Sequence, residues 1–126
     1  MTDTDELTAR LDDLPNIAPA PGATMRRFGG ERVMLQVATM PRGTTFEPHA
    51  HHNEQLVLVL EGRVRLDIGE GGAQRPVELG PGDLLRLAPH VAHGGEALTD
   101  CRLIDAFSPP RTTVLGEREP HLDSGG

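Results

Sequence analysis

The sequence predicts an all-β domain, on three observations. Short apolar runs show the two-residue period of a strand, as in Val64, Leu66 and Ile68. Fifteen Gly and eleven Pro fall between these runs, where turns would stand. The middle of the chain shows no helical period. About eight short strands in one domain fit a jelly-roll barrel or a β-sandwich.

The elements follow in chain order. Residues 7–14 are predicted to form one or two helical turns, and the Pro- and Gly-rich residues 15–24 an extended arm. Five consecutive aliphatic residues, 56–60, predict a strand buried on both faces. The other predicted strands fall near residues 33–38, 64–68, 77–79, 84–88 and 101–107. The predicted organisation is an N-terminal arm over 1–24, a barrel over 25–115 and a flexible tail over 116–126.

Composition excludes several function classes. The formal net charge of −7 argues against a nucleic-acid partner, because phosphate binding needs clustered cations. All twelve basic residues are Arg, so no Schiff-base lysine is present, and neither Ser lies in a nucleophile-elbow setting. The single Cys, Cys101, allows neither an intrachain disulfide nor a thiolate zinc cluster. No apolar run approaches the ~20 residues of a membrane span, and the acidic N-terminus is not a signal peptide, so we expect a cytoplasmic protein.

Histidine spacing predicts a metal site. His49 and His51 are two residues apart, so on an extended chain they point to one face, ~7 Å apart. On an extended chain Gln55 would point to the same face as the two histidines, and it is the first candidate for a further ligand. Glu54 would point to the opposite face and ranks second. His93 follows a Pro-Gly-Asp turn and a strand. Packing alone explains such a pattern poorly, and it indicates a metal centre.

These residues resemble the two motifs of the cupin family. The first motif is Gly, five residues, His-x-His, three or four residues, Glu, six residues and Gly; here Gln stands in the Glu position. The motif positions are Gly43, His49, His51, Gln55 and Gly62, followed by Pro81, Gly82, Asp83 and His93. The resemblance covers about residues 25–111 and implies a double-stranded β-helix barrel with the metal inside.

The Gln in place of Glu affects the predicted chemistry. Three imidazoles and one amide are all neutral ligands, so a divalent ion keeps its full charge toward the substrate. That favours Lewis-acid chemistry over high-valent redox chemistry. One divalent transition metal is expected, and nickel, iron, manganese and zinc all accept imidazole ligands.

The last predicted strand carries a second candidate group. Asp105 and Phe107 share one strand face with Cys101 and Leu103. If that face lines the barrel, a carboxylate and an aromatic ring meet the metal pocket. The alternative is that Asp105 pairs with a nearby Arg and Phe107 is simply core.

This segment also resembles one subgroup, the KdgF cupins of pectin degradation. The similar segments are His49-x-His51-x-x-Glu54-Gln55, Leu58 to Gly62, and Asp105-x-Phe107-Ser-Pro-Pro-Arg111. Proteins of this subgroup open the ring of 4,5-unsaturated uronates to give linear keto-uronates. The resemblance implies that His49, His51, Gln55 and His93 hold the metal, that Asp105 transfers protons, and that Phe107 and Arg111 hold the substrate.

The sequence therefore predicts a metal-dependent isomerase or lyase-type cupin that acts on a small, anionic, uronate-like molecule. Three alternatives stay open: a cyclase or lyase of secondary metabolism, a cupin oxygenase, and a non-catalytic binding module. Fold alone does not distinguish them. Because edge strands invite pairing between chains, we also expect a homodimer.

Overall fold

The chain folds into two antiparallel β-sheets with the core between them. The computed structural model describes residues 7–112. Residues 1–6 of the predicted arm, the last three residues of the predicted barrel and the whole predicted tail lie outside the described residues. Within the described part, the secondary structure consists of strands and two short 3₁₀ turns, which confirms the all-β prediction. This part of the chain contains no helix long and apolar enough to cross a bilayer.

Nine strands are described, against about eight predicted. They are β1 (Thr24–Gly29), β2 (Met34–Met40), β3 (Thr45–His49), β4 (Glu54–Glu61), β5 (Val64–Ile68), β6 (Arg75–Leu79), β7 (Leu84–Leu87), β8 (His93–Ala97) and β9 (Cys101–Ser108). Three of them, β1, β3 and β8, fall outside the ranges that the apolar pattern located. The larger sheet has the order β1-β2-β9-β4-β7, and the smaller sheet has the order β3-β8-β5-β6. The turns are Leu11–Asp13 and Gly71–Ala73, and the first accounts for the predicted helical segment.

Strand β8 lacks an apolar alternation because its neighbours approach its backbone closely. A Cβ at Gly95 would lie 2.0 Å from the carbonyl oxygen of Arg65 on β5. A Cβ at Gly94 would lie 2.8 Å from the carbonyl oxygen of Phe46 on β3. The strand therefore needs glycine at both positions, and such a segment gives almost no β signal in sequence.

The apolar core and the polar site occupy opposite ends of the barrel. The core cluster is Val59, Val64, Leu66, Leu79, Ala97, Cys101 and Leu103. These side chains lie toward the end of β4 and the starts of β5 and β9. The start of β4 and the end of β9 meet at the other end, where Gln55 pairs with Phe107. The packed core thus supports one end of the barrel and leaves the other end open for a site.

The prediction that 56–60 is buried on both faces is wrong for the isolated chain. Val57 and Val59 are buried, but Leu56 and Leu60 are 48% and 40% exposed. Among the described residues nothing covers the outer face of the larger sheet. On β2, likewise, Leu35 faces outward and is exposed.

The arm lies beside the barrel, and the Asn16 side chain makes three of the hydrogen bonds that hold it there. The Asn16 Oδ1 atom accepts hydrogen bonds from the backbone N–H groups of Ala18 (3.0 Å) and Met25 (2.9 Å). The Asn16 Nδ2 atom donates to the carbonyl oxygen of Ala23 at 3.2 Å. These bonds fix the entry into β1, which carries Arg27 toward the open end of the barrel.

Candidate metal centre

Three histidines meet at the open end of the barrel. His49 ends β3 and pairs across the sheet with His93, which begins β8. His51 lies between β3 and β4 and is 2% exposed. One ring nitrogen from each lies within 4.8 Å of the others. One metal ion can therefore bind to all three.

The reason for this convergence differs from the predicted one. His49 and His51 were expected to share the face of one extended strand. Instead β3 ends at His49, and residues 50–53 cross from the smaller sheet to the larger one before β4 begins. The crossing brings His51 over the cavity, so the two rings meet because the chain changes sheets there.

Each imidazole is held in the tautomer that a metal ligand needs. The Nδ1 atom of each ring lies at hydrogen-bond distance from a backbone carbonyl oxygen, which can only accept, so Nδ1 carries the proton. The Nε2 lone pairs are then available to an ion. The pairs are His49 with Glu47 (3.1 Å), His51 with Asn53 (3.0 Å) and His93 with Val91 (3.0 Å).

The electrostatics of the cavity keep the rings of His51 and His93 neutral. Burial lowers the pKa of His51 to about 4, helped by the positive charge of Arg111 and by the neighbouring histidines. Burial also lowers the pKa of His93, again with a contribution from Arg111. Neutral imidazole is the form that binds metal, so both rings can bind at physiological pH without first losing a proton.

This shift predicts that the metal-free protein loses stability on acidification. The unfolded chain protonates His51 near pH 6.5 and the folded chain only near 4, so between these values the unfolded state binds more protons and stability falls as pH falls. The full effect is about 3 kcal/mol, and it is complete below the lower pKa. Burial raises the pKa of Asp105, so protonation of that carboxylate offsets part of the loss at the acidic end. Urea unfolding at a series of pH values in the presence of a chelator measures the slope of the unfolding free energy against pH. His51→Gln should flatten it, and an equally steep slope in that variant would refute the assignment.

Gln55 turns its side-chain carbonyl oxygen toward the histidine cluster. Its Nε2 atom donates to Asp105 Oδ1 at 3.1 Å, which turns Oε1 toward His51 Nε2, 3.1 Å away. Two lone pairs then face each other, an arrangement that a shared cation stabilises. Two atoms bound to one ion at right angles with bonds of ~2.1 Å lie ~3 Å apart. The donor set therefore fits a divalent ion.

The other candidate for the fourth ligand lies elsewhere. Glu54 is exposed and pairs with Ser108 at the edge of the barrel opening. Gln55 is buried and lines the cavity. Between the two, the structure brings only Gln55 to the histidines.

Asp105 lies at the centre of the cavity wall and is 4% exposed. Its Oδ1 accepts from Gln55, and its Oδ2 accepts from the Nε2 atom of Gln36 at 2.9 Å. Burial raises the pKa of this carboxyl, while the two amide hydrogen bonds and the charges of Arg27 and Arg111 lower it. A carboxyl under such opposed influences is suited to take up and release a proton.

Phe107 and Arg111 complete the predicted set. The Phe107 ring lies edge-on to the His51 ring, with the centroids 5.8 Å apart. The guanidinium carbon of Arg111 lies 5.8 Å from the Phe107 centroid, and Arg111 is 4% exposed. All the predicted site residues except His51 line one cavity, and His51 packs against them.

The sequence analysis missed two polar residues of this cavity. Arg27 lines it from β1 and Gln36 from β2. The Arg27 guanidinium carbon lies 6.0 Å from the Phe107 centroid, and its Nε donates to Gln36 Oε1 at 2.7 Å. The available signal was a lone amide among the apolar residues of a predicted strand, Gln36 between Leu35 and Val37.

The fold and the three-histidine cluster define a cupin with a metal centre. The model of the cupin domain family matches residues 36–107, and the chain belongs to this family. The L-ectoine synthase of Nocardia farcinica is 31% identical over 97% of this chain and 88% of that protein. The structure of KdgF from a Halomonas species is 28% identical, covers 80% of this chain and 91% of its own, and superposes with a TM-score of 0.68. An RmlC-like cupin from Shewanella frigidimarina is 26% identical with a TM-score of 0.69, over 85% of this chain and 94% of its own. The named relatives include enzymes, as expected for a catalytic cupin.

Proposed function

We propose that this protein is a metal-dependent cupin enzyme that opens the ring of a small 4,5-unsaturated uronate. The observation that carries the proposal is the buried carboxylate of Asp105, which is joined to the three-histidine cluster through the Gln55 amide. The likeness to KdgF from Halomonas supports it. The residues that would hold the ion are His49, His51, Gln55 and His93. When bound, the ion supplies Lewis acidity to the substrate oxygens.

The reaction moves one proton from one atom of the substrate to another. A 4,5-unsaturated uronate is a hemiacetal and an enol ether in one ring. Asp105 takes the proton of the anomeric hydroxyl, the anomeric carbonyl forms, and the bond from that carbon to the ring oxygen breaks. Asp105 then returns the proton to the alkene carbon, and the former ring oxygen becomes a ketone. The step is an isomerisation and needs no oxidant or reductant.

The cationic side of the cavity selects the substrate. Arg111 is buried beside Phe107, where its planar fork suits a carboxylate. The imidazoles and the amide add no negative charge that would oppose an anion. These features favour a uronate over an uncharged sugar.

The deciding experiment is ring opening of 4,5-unsaturated galacturonate, followed by the loss of its enol-ether ultraviolet absorbance. We expect metal-loaded protein to accelerate the loss well above the spontaneous rate, and a chelator to remove the acceleration. Protein with verified metal content that gives only the spontaneous rate would contradict the proposed substrate.

A second candidate comes from the likeness to L-ectoine synthase, which extends over almost the whole chain. On this hypothesis the same site forms a ring instead of opening one. Incubation with the ring-opened amide that hydrolysis of L-ectoine produces should then give L-ectoine, visible by NMR. A ring-opened amide that stays unchanged in the presence of metal-loaded protein would remove this candidate.

We also propose that two copies of the chain associate through the outer face of the larger sheet. Two neighbouring rows of side chains cross this face and are mainly apolar. One row contains Phe28, Leu35, Ala106 and Leu56, and the other contains Val37, Ile104, Leu58 and Leu84. Strand β9 is the middle strand of the five. A twofold axis parallel to β9 and just outside this face would place the apolar residues of one copy against those of the other, which suits a symmetric dimer.

This interface predicts that Leu35→Glu converts a dimer into a monomer. Leu35 is 51% exposed in the single chain, so the substitution should change the stability of the monomer by about 0.5 kcal/mol or less. Light scattering coupled to size exclusion measures the mass. Arg75→Glu, an exposed charge change on the other sheet, is the matched control. A wild-type monomer, or a Leu35→Glu dimer, would contradict the interface.

A further inference from the structure

A continuous chain of contacts connects Arg27 to the histidine cluster. The Arg27 Nε atom donates to Gln36 Oε1 at 2.7 Å, and Gln36 Nε2 donates to Asp105 Oδ2 at 2.9 Å. On the other side of the carboxylate, Gln55 Nε2 donates to Asp105 Oδ1 at 3.1 Å. The Gln55 Oε1 atom then lies 3.1 Å from His51 Nε2. Four of these five side chains, all but His51, line the cavity from the larger sheet.

The chemistry of these groups allows one direction only. A guanidinium has donors and no acceptor, so Gln36 must turn its oxygen to Arg27 and its NH₂ to Asp105. An ionised carboxylate has acceptors and no donor, so Gln55 must turn its NH₂ to Asp105 and its oxygen to the histidines. The two ends of each amide have nearly the same shape, so only these hydrogen bonds decide which end faces the cluster. Bonds to charged groups decide it strongly.

We propose that Arg27 and Gln36 are positioning residues of the metal centre, which act through Asp105 to turn the Gln55 oxygen toward the ion. The proposal rests on the metal site given under Proposed function. It does not depend on the substrate. Gln36 holds one oxygen of the carboxylate, and the other oxygen then stays available to the Gln55 amide. Arg27 keeps Gln36 from presenting its own oxygen to Asp105, which would repel the carboxylate.

The direction in which metal affinity changes when Arg27 is removed distinguishes the positioning role from a purely electrostatic effect. Arg27 carries a positive charge at the cavity wall, and its removal would by Coulomb's law strengthen the binding of a cation. If Arg27 acts through the amide chain, its removal weakens cation binding instead. The two accounts therefore predict opposite changes for the same variant.

The experiment is calorimetric titration of the metal-free full chain with nickel or zinc ions alone. We expect Gln36→Met, which keeps the length of the side chain and loses both hydrogen bonds, to weaken binding about 10–100-fold. Arg27→Met should weaken binding by a smaller factor. In the Gln36→Met background Arg27→Met should cause no further loss, because the link is already broken. Arg26→Met removes a cation from the same strand, where Arg26 donates to the carbonyl oxygen of Leu14 instead of entering the cavity, and should leave the affinity unchanged.

Two further readouts keep the result interpretable. Circular dichroism establishes that each variant folds, and the visible spectrum of cobalt-loaded Gln36→Met should differ from that of the wild type, because one ligand is displaced. Unchanged or tighter binding by Arg27→Met, or additive losses in the double variant, would overturn the relay while leaving the metal site intact. A wild-type chain that binds none of these ions would overturn the metal site and the relay together.

Discussion

Asp105→Asn should lower kcat for uronate ring opening by about 10²–10⁴-fold, the range typical of a lost general acid–base group. Asn keeps the size of the side chain, but it has an NH₂ group in place of one carboxylate oxygen and cannot take up the anomeric proton. The residue is buried and lines the cavity, so the substitution removes the proposed proton-transfer group at the site itself. Initial rates at saturating nickel or zinc measure the effect.

The metal content of the variant must be measured alongside the rate. At saturating metal we expect Asp105→Asn to hold as much metal as the wild type, because all four proposed ligands are present. Asp67→Asn, which alters a carboxylate outside the cavity that bonds to Arg65, is the matched control and should be fully active. A fully active, metal-loaded Asp105→Asn protein would contradict the role of Asp105.

His51→Ala should abolish metal binding at micromolar metal. His51 is the least exposed of the three histidines, and its ring packs against the rings of His49, His93 and Phe107. Loss of an outer-shell partner already costs 10–100-fold in affinity at metal sites, so loss of a direct ligand should cost more. Elemental analysis after dialysis measures the bound metal, and turnover should fall to the level of chelator-treated wild type.

A neighbouring histidine provides the comparison for that experiment. His90 is exposed and has a φ of +69°, a conformation that Asn adopts more readily than most residues. His90→Asn should keep both metal and activity. If His51→Ala binds one equivalent of metal after dialysis, His51 is not a ligand.

The local sequence pattern predicted much of the site. The spacing of His49, His51 and His93 indicated a metal centre, and the structure brings these three rings together. The parity of β9 placed Asp105 and Phe107 on one face, and that face does point inward. Such inferences succeed because the two-residue period of a strand is a local property of the backbone.

Other parts of the site depend on which strands become neighbours. Gln36 and Asp105 are far apart in sequence, and only the pairing of β2 with β9 puts them opposite each other. His51 reaches the other two histidines because residues 50–53 cross between sheets, a path that no local period encodes. The alternation along β2 does not show which face points inward, because apolar residues occur on both of its faces.

The sequence by itself determined the all-β class, the positions of most strands, and the histidine and carboxylate chemistry of the site. Each of these follows from residue type and short-range periodicity. The tertiary structure alone decided which residues surround that chemistry, above all the link from Arg27 through Gln36 to Asp105. The physical reason is that hydrogen bonds between distant strands are set by register and sheet order, which arise only when the two sheets close around a common core.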